Sequence, residues 1–180
     1  MNTTLTDLCS RRSIRAFTEV DVPRRDLELI IEAGLSAPSA HGKRPWHIAV
    51  FSDKTVRSRI AAKMQWFQPI VDAPVSLLIC GDPSACVQKE YWPVDCAALT
   101  ENIMVAARSL DLGSVCCGIA PVAENIELIR TVLDIPVPLV PFCMIAIGYP
   151  KSTTAFHERN KTGDEARVTW NPQWVRPDDK

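Results

Sequence analysis

Apolar residues along the chain fall into two kinds of run. Some recur every three or four positions, the spacing that lines one face of a helix. Others are short and nearly continuous, as in a strand covered on both sides. Residues 4–10 predict a short helix with Leu5 and Leu8 on one face. Val22-Pro23 opens a second, with Pro23 near its first turn and Leu27, Ile30, Ile31 and Leu35 at helical spacing. It stops before Pro38, because proline disfavours helical backbone in the residue preceding it. Residues 38–46 (PSAHGKRPW) read as a loop rich in turn formers, and residues 47–51 as a strand. Asp53 is a candidate cap for a helix carrying Val56, Ile60, Ala61 and Met64. Residues 74–80 (PVSLLIC) predict a central strand.

A connection over 83–93, containing Cys86, Tyr91 and Trp92, leads to a helix over 94–112 that ends at Gly113. That helix is apolar nearly all the way round, so it must be covered on most sides. A sheet can cover one side, and a second subunit part of another, so a dimer is expected. A strand over 114–119, a helix from Pro121 to about 133, a rigid turn at 135–138 and a strand over 141–147 complete the series. Helices alternate with short strands and hairpin signals are weak, which predicts an α+β fold with a sheet covered by helices. One domain spans 1–150. Residues 151–180 are polar but carry Trp170 and Trp174, so they read either as a frayed terminus or as an arm of that domain docked on a partner subunit. Large aromatics act as interface anchors and favour the arm.

Composition narrows the class. Apolar residues make up 47% and charged residues 23% of the 180, the balance of a globular domain with a real core. A net charge of -1 gives no reason to expect a nucleic-acid partner. The charge is uneven: residues 1–60 carry a net +3 and the remainder a net -4. No apolar run approaches the roughly 20 residues that span a bilayer, and the first residues lack the apolar segment of a signal peptide. The seven cysteines (Cys9, Cys80, Cys86, Cys96, Cys116, Cys117, Cys143) are odd in number, lie mostly in apolar runs and form no C-x-x-C pair. They read as buried thiols of a reducing cytoplasm, with no metal site.

The positive excess centres on residues 11–15 (RRSIR), where three arginines and a hydroxyl lie within five positions. Arginine presents a fork of donors that suits a phosphate, and serine adds a short donor. The segment reads as a phosphate clamp or as a solvated basic turn. The chain has three histidines, no Gly-x-Ser-x-Gly elbow and no glycine-rich nucleotide fingerprint. Side-chain catalysis therefore has little material, and a bound cofactor would carry the chemistry. Three further stretches could join such a site: residues 38–46, the small-residue run SVCCGI at 114–119, and Arg159-Asn160-Lys161.

RRSIRAF at 11–17, A-P-S-A-x-x-x-x-P-W at 37–46, ENIMVAARSLDLGS at 101–114 and IGYP at 147–150, followed by V-T-W at 168–170, occur in one order. In this the chain resembles a short form of the FMN-dependent nitroreductase family, over nearly its whole length. The resemblance implies an α+β fold with a central, mostly antiparallel mixed sheet flanked by helices, and FMN bound at the interface of an intertwined homodimer. It implies NAD(P)H as electron donor and hydride transfer through flavin N5 to a small electron-poor acceptor such as a nitroaromatic or quinone. It places Arg11 and Ser13 on the ribityl phosphate, Arg12 beside them, and Arg15 near the N1–C2 carbonyl edge, where a cation would stabilise the charge of reduced flavin. Pro38, Ser39 and Ala40 would lie against the ring, the backbone of Cys117 and Gly118 near N5, and Arg159 and Lys161 would reach the phosphate. No side chain is assigned a catalytic role. Trp46, Phe67, Tyr91 and Trp92 are candidate walls for the acceptor slot, although each taken singly reads rather as an ordinary core or surface aromatic. Gly42 and Arg44 stand where the family commonly carries Asn and Gln, and Gln65 and Gln68 lie near the place of a further family amide without matching it. Lys43 and Arg44 either face solvent or suit an anionic substrate. Flavin storage or sensing without turnover, or a narrow-substrate flavoenzyme of the same fold, are alternative outcomes.

Overall fold

The computed structural model describes residues 2–152, 154–158 and 167–170. Its α-helices are α1 (Thr3–Ser10), α2 (Arg24–Leu35), α3 (Lys54–Ala61), α4 (Gln68–Asp72), α5 (Trp92–Ser109) and α6 (Ala123–Leu133). Its strands are β1 (Trp46–Phe51), β2 (Val75–Gly81), β3 (Gly113–Gly118) and β4 (Val140–Gly148). They form one sheet in the order β1-β2-β4-β3, with every neighbouring pair antiparallel. Among the described residues the one parallel element is an isolated bridge from Ser13 to Ser114.

The apolar run at 74–80 is the inner strand β2, buried along its entire length. Side chains alternate across a strand, so one strand feeds two cores. Val75, Leu77 and Ile79, with Cys143, Ile145 and Ile147 of β4, face α2 and α5. Leu78 and Cys80, with Met144 and Ala146, face α3, α4 and α6. Helix α5 fills the first core with Cys96, Leu99, Ile103, Met104 and Ala107. Full burial of Leu99 or Ile103 is worth about 2 kcal/mol each.

Helix ends follow local chemistry. Asp53 Oδ1 accepts from the Thr55 N–H at 2.7 Å and starts α3, as the sequence predicts. Helix α5 ends differently from expectation. Its stop is Asp111, in the left-handed region at φ 57°, and not Gly113. The Asp111 N–H bonds to Arg108 O at 3.0 Å and the Leu112 N–H to Ala107 O at 2.9 Å, the two bonds of a Schellman ending. Gly113 is already in β3. Helix α6 begins at Ala123, two residues after the predicted Pro121. Helix α4 was not predicted, since five residues are too few to show a period.

Arg57 is buried among backbone carbonyls. Its guanidinium donates to Ile70 O at 2.7 Å, Ser52 O at 3.1 Å and Ala73 O, tying the start of α3 to the turn between α4 and β2. Burial pushes its pKa down and nearby Asp53 opposes that shift. Replacing it by methionine keeps the stem and strands the carbonyls. Arg57→Met should lower unfolding free energy by about 3 kcal/mol in urea denaturation. A loss below about 1 kcal/mol would mean that water satisfies those carbonyls instead.

Candidate functional site

Residues 11–18 meet the edge of β3 at Ser13 and Ile14 and the chain beyond β4 at 16–18. The Ile14 N–H donates to Ser114 O at 2.9 Å, and Thr18 N–H to Tyr149 O at 2.8 Å. Ile14 and Phe17 are buried in the second core, while Ser13 and Arg15 point outward. The approach at Ile14 depends on Gly113. A Cβ there would lie 2.8 Å from Cβ and Cγ2 of Ile14, closer than such atoms pack, so only glycine lets the segment settle at this distance.

Each arginine has its own environment. Arg11 Nε donates to Glu101 Oε1 of α5 at 3.0 Å. Arg12 Nη1 donates to Cys9 O at 3.0 Å and to Arg11 O, while its Nη2 is buried with no partner among the described residues. Arg15 is exposed and donates only weakly, to Ser13 O at 3.3 Å. The Ser114 hydroxyl is a second buried polar atom without a partner among the described residues.

Strand β3 closes this side of the site. Cys117 is buried and its thiol touches Trp66 O at 3.9 Å. Desolvation pushes it up to about 12, the neighbouring Cys116 adds to the shift, and Arg15 opposes it. Cys116 and Gly118 are the exposed residues of the strand, and no atom lies within 4 Å of a Cβ built on Gly118. A hydrogen bond from Cys143 holds the Cys116 thiol below its ordinary value, against the opposing effects of desolvation and Glu101. Burial pushes Cys143 well up. The residues 11–15 and 116–118 therefore share one edge of the sheet.

The loop at 38–45 sits elsewhere. It feeds β1, the opposite edge strand, three strand spacings or roughly 14 Å from β3. Ser39 Oγ accepts from Arg44 N–H at 2.9 Å. Ala40 N–H donates to Asp95 Oδ1 in the first turn of α5 at 2.9 Å. Asp95 is buried, with Oδ2 unpartnered among the described residues. His41, Gly42 and Arg44 all have positive φ, at 53°, 66° and 49°. The glycine suits its position. His41, Lys43 and Arg44 are exposed.

Of the four aromatic residues expected to wall a slot, Trp46 and Phe67 are core, and Trp92 packs edge-on against Phe142 at 6.0 Å. Tyr91 is exposed. So is Trp66, beside Cys117, which sequence reasoning passed over. Arg159 and Lys161 lie outside the described residues. Asp95 and Glu101 were also missed, whereas Ser114 opens the 114–119 run that the sequence singled out. The available signal was charge inside an otherwise apolar helix, at Asp95, Glu101 and Arg108. Among the described residues no cluster of His, Cys, Asp or Glu could hold a metal, and no helix is long and apolar enough to cross a membrane.

Comparison with known proteins gives one answer. The model of the nitroreductase family matches residues 8–92 and 69–149. An Archaeoglobus fulgidus protein provisionally named NADH dehydrogenase/NAD(P)H nitroreductase is 34% identical over 160 residues, covering 88% of this chain and 92% of that protein. A crystal structure from Parabacteroides distasonis, of a protein with the same provisional name, superposes with a TM-score of 0.88 at 26% identity, covering 96% of this chain and 100% of that one. A provisionally named nitroreductase from Desulfovibrio desulfuricans, solved in complex with FMN, superposes at 0.81 with 27% identity, covering 96% and 99%. With a sheet of this order and an arginine segment pinned to its edge, the chain belongs to the nitroreductase family.

Proposed function

We propose that the protein binds FMN along the β3 edge and acts as an NAD(P)H-dependent oxidoreductase of small electron-poor acceptors such as nitroaromatics or quinones. The observation that carries this reading is the arginine segment, fixed against β3 at Ser114, with Arg15 close enough to Cys117 to act on its thiol. The residues fit the cofactor. Arg11, Arg12 and Ser13 are candidate phosphate donors, and Arg12 Nη2 and Ser114 Oγ beneath them are buried donors that nothing described satisfies. Arg15 is an exposed cation without a carboxylate partner in the described ion pairs, suited to an anionic ring edge. Gly118 leaves space for a flat ring. FMN, when bound, supplies the hydride chemistry. The chain's part is to bind the phosphate, orient the ring and leave one face open.

The reading extends to the assembly. Loop 38–45 and residues 11–15 occupy opposite sheet edges, which favours a second copy as the source of the loop for one flavin. An open groove of about 510 Å³ between α1, α2 and α5, lined by Leu8, Ala33, Val105 and Ala106, offers an apolar face for that copy. Leu5 and Leu8 are 48% and 45% exposed on α1. Of the arm expected over 151–180, the described part up to Phe156 packs on its own chain, so only the part beyond it, with Arg159 and Lys161, would complete the contact.

The first test is the visible spectrum of purified protein before and after anaerobic NADH or NADPH. A two-band flavin spectrum that bleaches supports the reading. Flavin that does not bleach would favour storage or sensing, and failure to take up FMN would overturn the assignment of residues 11–15. Arg15→Ala should slow bleaching or weaken FMN binding about tenfold, since a charge-assisted contact is lost.

Iodoacetamide at pH 8 should modify Cys116 ahead of Cys80, Cys96 and Cys117. Cys116 is exposed, and its lowered pKa leaves more thiolate at that pH. The other three are buried and pushed up to about 11, 12 and 12. Added FMN should slow the Cys116 reaction; an unchanged rate would place the flavin elsewhere. Leu8→Asp should convert a dimer to monomer in sedimentation and reduce flavin occupancy, whereas a persisting dimer would move the interface off this groove.

A further inference from the structure

Beyond β4 the chain returns along the arginine segment. Thr18 N–H bonds to Tyr149 O at 2.8 Å, Phe17 bridges Pro150, and Lys151 N–H bonds to Ala16 O at 3.0 Å. Residues 149–151 therefore run antiparallel to 16–18, outward from the sheet. The next tie lies further back along the same segment, at Phe156. The guanidinium carbon of Arg108 stands 4.2 Å from the centre of the Phe156 ring. That distance is well inside the range of a cation–π contact.

Arg108 is the last basic residue of α5 and is a hub. Its Nε donates to Ser10 Oγ at 3.0 Å and its Nη1 to Asp111 Oδ1 at 2.9 Å, with Asp7 Oδ1 at 3.9 Å. Ser10 is buried at the end of α1, and Arg11 follows it directly. One guanidinium thus holds the residue before the arginine segment on one side and the strap from 149 to 156 on the other. The far end of the segment is held by the backbone pairs at 16–18. Phe156 and Ala155 also pack against the second core, which contains Ile14 and Phe17.

We infer that Arg108 and Phe156 are positioning residues for FMN: their stack fastens the strap to the residue that precedes the arginine segment and so couples the fastened strap to phosphate binding. This rests on the FMN reading above. Neither side chain is assigned a contact with the cofactor. The coupling is reciprocal by linkage, so whatever the stack contributes to FMN affinity, FMN returns to the fastened strap.

The test uses the whole protein stripped of flavin. Phe156→Leu keeps an apolar side chain in the core and removes the ring, while Phe156→Tyr keeps the ring. Flavin-fluorescence titration should show FMN binding weakened about fivefold in the leucine variant and unchanged within about twofold in the tyrosine variant. Trypsin cleavage after Arg12 and Arg15, followed by mass spectrometry without FMN, should rise by a similar factor in the leucine variant only. Saturating FMN should slow that cleavage in wild type. Wild-type affinity and cleavage in Phe156→Leu would overturn the inference alone, with the FMN reading intact. Equal losses in both variants would also overturn it, because they would report core damage and not the stack. No FMN uptake by wild type would overturn the cofactor reading and the coupling with it.

Discussion

The burial of α5 between the sheet and α2 is the constraint on which the rest of the structure depends. A helix so placed can carry few polar side chains, and each must find a partner or leave a costly orphan. In α5 the charged residues hold separate segments. Asp95 binds the backbone of loop 38–45, Glu101 binds Arg11, and Arg108 binds Ser10 and Phe156. Asn102 adds a bond to Ala33 O at 3.1 Å, joining α5 to α2. The stable core and the parts of the site on one chain are therefore organised by one helix. A disturbance of its packing would be felt at both sheet edges together.

The arginine segment illustrates how little space that arrangement leaves. Its placement needs a buried Ile14 and Phe17, a backbone bond to Ser114, and a position in β3 with no side chain. Charge alone would not place it. Three arginines so close repel one another, and the structure separates them by giving Arg11 a carboxylate, Arg12 backbone carbonyls and Arg15 solvent.

Much of this was legible in the sequence, for reasons that differ by residue. The inner strand showed itself because a strand covered on both faces must be nearly all apolar, as 74–80 is but for Ser76, whose hydroxyl bonds to Ile70 O. Asp53 was legible because a cap acts within three residues. The end of α5 was misread because Gly113 is the residue type expected at a helix stop. Here the left-handed position falls to Asp111, whose carboxylate pairs with Arg108, and the glycine serves a tertiary contact. Trp46 and Phe67 were candidate slot walls, but each alone read as an ordinary core aromatic, and that is where they lie. The tethers Asp95 and Glu101 could not be assigned partners from sequence, since those partners lie 55 and 90 residues away. The family resemblance supplied the order of the motifs. The opposite-edge placement of two of them emerged only from strand order.

Loop 38–45 has a consequence of its own. Three of its residues are held at positive φ, a conformation that an unrestrained His or Arg seldom visits, and Asp95 and Ser39 lock it there. The ordering cost has thus been met during folding, before any ligand arrives. A molecule that binds against this loop loses little of its interaction energy to freezing the backbone, so affinity there depends on contacts rather than on induced order. Sequence change in the loop is correspondingly asymmetric. Exposed side chains can vary with the turn intact, whereas a β-branched residue at Gly42 or Arg44 would strain the backbone that presents them.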